Sequence, residues 1–298
     1  MKICARLATV TAVAAALLMT AGCTKLRARD QLNKGVQSYK AANYEAAIEH
    51  FKNAVNLDND LKVAKLYLAT AYAQQYVPGV DTPDNVRNAQ QAIDQYKNVL
   101  QNDPKSINSL KGIAFLNMQM KNFEQAREYY KKAIEADPND PEVYYSVGVI
   151  DWSQAYKDAA EIKGKEGLKV DDELKGKGSQ KICDQLKAKD GPAVEEGMKM
   201  LQTAIDKRQD YDDAMAYMNL IYRRKANDMT CEDAQARADY KKMADDWSDK
   251  AMAARKKKAE EAAKKWHSSS TFRAKPSKIN DAGACYCSGV VSSFPALT

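Results

Sequence analysis

The sequence predicts an all-α chain: a solenoid of about five helix pairs, then a long C-terminal helix and a disordered tail. Three observations carry that expectation. Glycine and proline are sparse, 13 and 8 in 298 residues, where strands joined by tight turns need more of both. Apolar residues recur at spacings of 3 and 4, which places them on one face of a helix. A small–aromatic–small pattern also returns at a fixed interval, as a repeat architecture requires.

Residues 1–22 read as a signal peptide. Lys2 and Arg6 form a charged start, and 7–19 is an apolar run of 13 residues. That run is too short to cross a hydrocarbon layer of about 30 Å. Ala21-Gly22-Cys23 then resembles the bacterial lipobox, in which small residues precede a cysteine that is lipid-modified and becomes the new N-terminus. The resemblance makes Cys23 the candidate lipidation site and 23–29 a short lipid-anchored tether. Thr20 stands where the motif usually carries Leu, and an ordinary secretory signal with an incidental cysteine is the alternative. Thr24 follows the cysteine, where an Asp would imply inner-membrane retention, so the analogy leans to an outer-membrane lipoprotein facing the periplasm.

The repeat occupies 30–231. Small, aromatic and small residues recur as Ala47/Phe51/Ala54, Ala92/Tyr96/Val99 and Ala126/Tyr130/Ala133. At these spacings all three share one helix face; the small residues admit a neighbouring helix and the ring fills the groove beside it. Five residues on, Asn59, Pro104 and Pro138 mark the stops, and proline cannot continue a helix. Gly35, Ala69, Ala114 and Gly148 mark the helix before. Ala92 to Ala126 is a step of 34 residues. The pattern resembles the tetratricopeptide repeat, a 34-residue helix–turn–helix unit, and is clearest over 107–140.

The frame divides 30–231 into units at about 28–61, 62–106, 107–140, 141–211 and 212–231. The second carries extra residues around Val77-Pro78-Gly79, a loop signal. The fourth carries an insertion, 157–192, before the frame resumes at Gly197, Leu201 and Ala204. The last unit contributes a first helix from Asp212, and a long helix is expected over 232–266. Its apolar stripe is Ala236, Tyr240, Met243, Trp247, Ala251 and Ala254. Beyond Arg255 it is Lys, Glu and Ala, read as a solvated solenoid cap or a basic contact surface. Residues 267–298 lose helical period and read as a disordered tail; Cys285-Tyr286-Cys287 within it lacks companion ligands for a metal site.

A formal charge of +6 over 298 residues is too weak an excess for a nucleic-acid protein. Two histidines, His50 and His267, leave no basis for a multi-His metal centre, and no cofactor is expected. Catalysis is not expected either. Glu195/Glu196, Asp212/Asp213 and Asp245/Asp246 are adjacent on helices, where neighbours diverge and cannot flank one bond. No phosphate loop or nucleophile elbow occurs.

The resemblance implies a right-handed stack whose first helices line a protein-binding groove. In this frame the lining places hold Tyr39, Leu66, Lys111, Phe115, Met118, Tyr145, Val149, Trp152, Tyr217 and Arg223, although some of these are expected to seal helix packing instead. A Lys/Asn clamp for acidic C-termini is missing, since Leu32 and Val36 hold those places. An extended or helical apolar segment is the expected ligand. Cys183 and Cys231 lie at the same edge of consecutive repeats, as a disulfide or as two free thiols. The expected function is a non-enzymatic adaptor of the bacterial envelope, binding envelope proteins while held to the membrane by lipid. Narrower readings are a component of outer-membrane protein assembly or pilus biogenesis, a regulatory subunit of an envelope enzyme, or a soluble secreted carrier if Cys23 is not acylated.

Overall fold

The computed structural model describes residues 23–175 and 177–270. The expected signal peptide and the Cys285-Tyr286-Cys287 segment lie outside them. The chain divides into two compact units, Met1–Ala254 and Arg255–Thr298. In the second, described residues 255–270 are helical, with Trp266 exposed.

The described part is helical throughout, with no strand among the described residues. A helix covers 23–40 (α1). It is followed by α2 (Tyr44–Leu57), α3 (Lys62–Gln75), α4 (Pro83–Asn102), α5 (Ile107–Gln119), α6 (Phe123–Ala136), α7 (Pro141–Lys165), α8 (Gln180–Lys207), α9 (Asp212–Asp228) and α10 (Ala234–Ser270). From α2 to α9 each helix packs on the next, and α3 with α5 and α7 with α9 also touch across pairs. Residues 23–29 are therefore helical, with Ala28 fully buried, and not an extended tether. Helix also covers 267–270, which were read as tail.

Local chemistry sets the boundaries. Asn43, Thr82 and Asp140 each cap a helix by accepting a backbone N–H, from Ala46, Asn85 and Glu142 respectively. Pro83 and Pro141 occupy first-turn positions that need no donor. Two within-pair turns share one design. Ala42 and Lys121 take positive φ (57° and 62°). Beside them the Asn43 and Asn122 amides donate back to Ser38 and Asn117, closing the preceding helix in a Schellman arrangement.

The small–aromatic–small residues are buried as a set: Ala47, Phe51, Ala54; Ala92, Tyr96, Val99; Ala126, Tyr130, Ala133. The rings of Phe51 and Tyr96 press on glycine backbone. A Cβ on Gly35 would lie 2.4 Å from Phe51, and one on Gly112 would lie 2.5 Å from Tyr96. In the fourth pair a Cβ on Gly148 would fall 2.5 Å from Leu201 Cγ and 3.2 Å from the Gly197 carbonyl. Gly148→Val is therefore expected to cost about 1–3 kcal/mol through overpacking. Gly164→Ala, with nothing within 4 Å of the added carbon, should be neutral or mildly stabilising when the two variants are compared by thermal melting.

The two insertions take different forms. In the second pair, α4 is lengthened to 20 residues against 14 in α2 and α6, and the remainder is a loop. Buried Asn85 holds that loop, accepting from the Val77 amide (2.7 Å) and donating to the Val77 and Val80 carbonyls (2.8 and 2.7 Å). In the fourth pair the extra residues mostly extend both helices, α7 to 25 residues and α8 to 28. The extended ends enclose a satellite core of Ala159, Ile162, Leu174, Ile182, Cys183 and Leu186.

The packed face of α10 also differs in detail. Arg237, Ala244 and Ala251 are its buried positions, while Met243 is exposed. The stripe runs 237, 240, 244, 247, 251, so Ala244 takes the place read for Met243.

Candidate functional site

The first helices α7 and α9 carry a continuous ladder of aromatic rings. Tyr211 lies 5.1 Å from Tyr145, Tyr145 lies 5.6 Å from Tyr217, Tyr217 lies 5.4 Å from Trp152, and Trp152 lies 5.3 Å from Tyr156. Helical geometry explains the order. Tyr145, Trp152 and Tyr156 are spaced 7 and 4 along α7, one face of the helix, and Tyr217 of α9 inserts between the first two. The pairs around Tyr217 are edge-to-face, at 79° and 82°. This is the arrangement that ring quadrupoles favour. Tyr145, Trp152 and Tyr217 are half-buried, and Tyr156 is exposed. Guanidinium groups cap both ends, Arg208 over Tyr211 at 4.2 Å and Arg224 over Tyr156 at 5.5 Å. Burial raises the phenols of Tyr145, Tyr211 and Tyr217 above the usual tyrosine value, so they stay neutral donors at physiological pH.

Of the groove residues read from the sequence, the fold brings Tyr145, Trp152 and Tyr217 together. Tyr39 and Leu66 sit three and two repeats away in the first apolar cluster, where Tyr39 contacts Tyr44 and Tyr67. Phe115 is half-buried on α5. Met118 packs against the cluster around Tyr130. Lys111 is committed to Asp140 (2.9 Å) and Glu142 (2.5 Å). Two placements need correction. Val149 is only 9% exposed and belongs to the core, although its spacings of 4 from Tyr145 and 3 from Trp152 put it on their side of α7. Arg223 donates to Asn219 and Asp245 (both 2.8 Å), which draws it towards α10. Sequence reading missed Tyr156 and Tyr211. The spacing of Tyr156 from Trp152 could have identified it, had it not been assigned to an insertion; Tyr211 lies one residue before α9 and outside any helix frame.

A second polar assembly clasps residues 170–174, beyond the end of α7, to α9 and α10. Lys163, fully buried, pairs with Asp228 and donates to the carbonyls of Val170 (3.0 Å) and Asp172 (2.6 Å). Arg224 donates to Asp228 (3.1 Å) and to the Val170 carbonyl (2.8 Å) and pairs with Asp171. Lys241 pairs with Glu173, and Arg237 donates to the Leu174 carbonyl (2.9 Å). Cys183 and Cys231 form a disulfide, Cα atoms 5.4 Å apart, joining α8 to the α9–α10 turn.

Nearby, Asp158 of α7 and Asp190 of α8 are both 3% exposed. Lys189 pairs with Asp158 at 2.8 Å, and Gln154 donates to it at 2.6 Å. Burial, followed by the hydrogen bond to Asp158 and its charge, pushes Asp190 up to about 7. Burial opposes ionisation of Asp158 too, but hydrogen bonds from Lys189, Gln154 and Asp190 outweigh it and hold that carboxyl down. Asp190 is then the proton donor of the pair. A carboxyl whose folded pKa lies above its unfolded value stabilises most when protonated. Its contribution should be full below about pH 4 and lost as pH rises through about 7. Asp190→Asn should flatten the fall in melting temperature between about pH 4 and about pH 7. An unchanged pH profile would refute the shared proton.

The adjacent carboxylates noted in the sequence are engaged singly: Glu195 with Lys225, Glu196 with Lys131, and Asp245 with Arg223. Among the described residues no group of three or more His, Cys, Asp or Glu side chains could hold a metal ion. None of their helices is long and apolar enough to cross a membrane.

Residues 87–148, from α4 into α7, match the family model of the tetratricopeptide repeat. Solved structures share the architecture over most of the chain. A crystal structure of MamA protein is 14% identical, with a TM-score of 0.52 over 78% of this chain and 94% of that one. MamA residues 41–end from Desulfovibrio magneticus RS-1 is 14% identical, with a TM-score of 0.51 over 78% of this chain and 96% of that one. At this identity the likeness speaks for the fold alone. No curated protein sequence matches the chain.

Proposed function

We propose that this chain is a non-enzymatic scaffold of the tetratricopeptide-repeat kind that docks an apolar segment of a partner protein on the α7–α9 ring ladder, a reading supported by its repeat match over 87–148. The ladder carries the reading. Half-buried aromatic rings on adjacent first helices form a rigid apolar surface that loses little conformational entropy on binding. The scaffold acts in the bacterial envelope, anchored through lipid at Cys23, and serves assembly of envelope complexes. Three features support that setting: the leader-like 1–22 segment, the exposed Cys23 thiol at the start of α1, and a disulfide, which persists in oxidising compartments.

Two experiments test these parts separately. Protein carrying Trp152→Ala and Tyr217→Ala should keep its helical circular dichroism but lose co-purifying envelope proteins that the parent retains. Retention of the same partners would refute the groove. Radiolabelled palmitate should enter the parent and not Cys23→Ser; equal labelling would refute the anchor.

A further inference from the structure

We propose that residues 255–266, in the C-terminal part of α10, lie along an anionic lipid surface through one face of the helix. The inference is independent of the ring ladder and of the acyl anchor. Six of these residues are Lys or Arg and two are Glu, an excess of four positive charges over about three turns. The charges are sorted by face. Arg255, Ala259, Ala262 and Trp266 are exposed and spaced 4, 3 and 4, which puts them on one side of the helix. Lys258 and Lys265 border that stripe on one flank and Lys256 on the other. Lys257, Glu260, Glu261 and Lys264, also 3 and 4 apart, hold the opposite side. Both carboxylates therefore sit at the back, offset by two lysines, and the whole excess falls on the face that carries Trp266.

The form of this face selects a lipid surface. Alanines along the stripe leave a shallow strip that a plane can approach closely. Trp266, 73% exposed, stands at its end. A membrane–water interface accommodates both the apolar body of an indole and its N–H. Lysine and arginine stems lie along such a surface while their heads reach the phosphates, drawn there by the negative surface potential. A planar partner touches one face and leaves Glu260 and Glu261 in water. A nucleic-acid groove or an enclosing acidic polypeptide would wrap further round the helix and meet both carboxylates. The formal charge of +6 over the whole chain is also too small an excess for a nucleic-acid protein.

The test uses the full chain with Cys23→Ser, so that no acyl chain contributes, and vesicles whose lipids carry brominated acyl chains. Vesicles of mixed phosphatidylglycerol and phosphatidylcholine should quench tryptophan fluorescence, and vesicles of phosphatidylcholine alone should not. The quenched fraction should vanish in Trp266→Phe and persist in Trp247→Phe. Arg255→Gln with Lys258→Gln should weaken vesicle binding about thirtyfold. Lys257→Gln with Lys264→Gln removes the same charge from the opposite face and should weaken it about threefold or less. Circular dichroism should show unchanged helix content in every variant. Equal losses from the two pairs overturn the inference, because charge alone would then account for binding. So does quenching that survives Trp266→Phe, equal quenching by phosphatidylcholine alone, or tighter binding of duplex DNA or polyglutamate than of the mixed vesicles. The ring ladder is tested separately, by partner loss with Trp152→Ala and Tyr217→Ala, so either reading can fall while the other stands.

Discussion

Asp228→Ala is expected to lower stability by about 3–5 kcal/mol, the usual cost of stranding a buried charge. Asp228 is the shared counter-ion of Lys163 and Arg224, and none of the three is more than 3% exposed. Burial pushes its carboxyl up, while Arg224 and Lys163 pull it back. Removing it leaves the fully buried Lys163 ammonium without a counter-ion, donating to the Val170 and Asp172 carbonyls. Lys163→Met in the Asp228→Ala background should recover part of the loss, because the stranded charge is gone and its methylene volume is refilled. The damage should be local. Repeat stacks lose stability mainly at neighbouring interfaces, so hydrogen exchange should accelerate in α7–α9 and stay slow in α2–α5. Urea denaturation showing less than about 1 kcal/mol of loss would contradict the assignment.

Removing the disulfide is the second large effect. The bridge closes a loop with a sequence separation of 48, for which chain entropy alone contributes about 4 kcal/mol. Cys183→Ala with Cys231→Ala should therefore lower the melting temperature by about 10 °C. Reductant should lower the parent's melting by a similar amount and leave the variant's unchanged. The same loss should loosen residues 170–174, which are otherwise held by the carbonyl bonds of Lys163, Arg224 and Arg237. Coincident melts of oxidised and reduced protein would show that the bond constrains nothing.

The stack itself was legible because its signal is periodic and repeated. Ala47, Phe51 and Ala54 and their counterparts must share a face at any plausible helix boundary, and Gly35 and Gly148 stand where a ring or a leucine lies against backbone. What resisted reading was geometry that periodicity does not encode. Residues 157–192 were read as an insertion between helices, yet their Lys, Glu, Asp and Ala content suits helix, and they lengthen the flanking pair. The stripe on α10 was placed on Met243 by hydrophobicity, but close approach favours the smaller Ala244. Position alone also could not tell a lining residue from a sealing one. Val149 and Trp152 are three apart on α7, and only the neighbouring helix decides that one is enclosed and the other joins the ladder.

The most direct test of a docking surface on the rings is photo-crosslinking in intact cells. A benzoylphenylalanine at position 156 or 217, on the ladder, should give discrete higher-mass adducts, and one at position 129, on α6, should give none. Adducts from 129 alone, or from none of the three, would contradict the account.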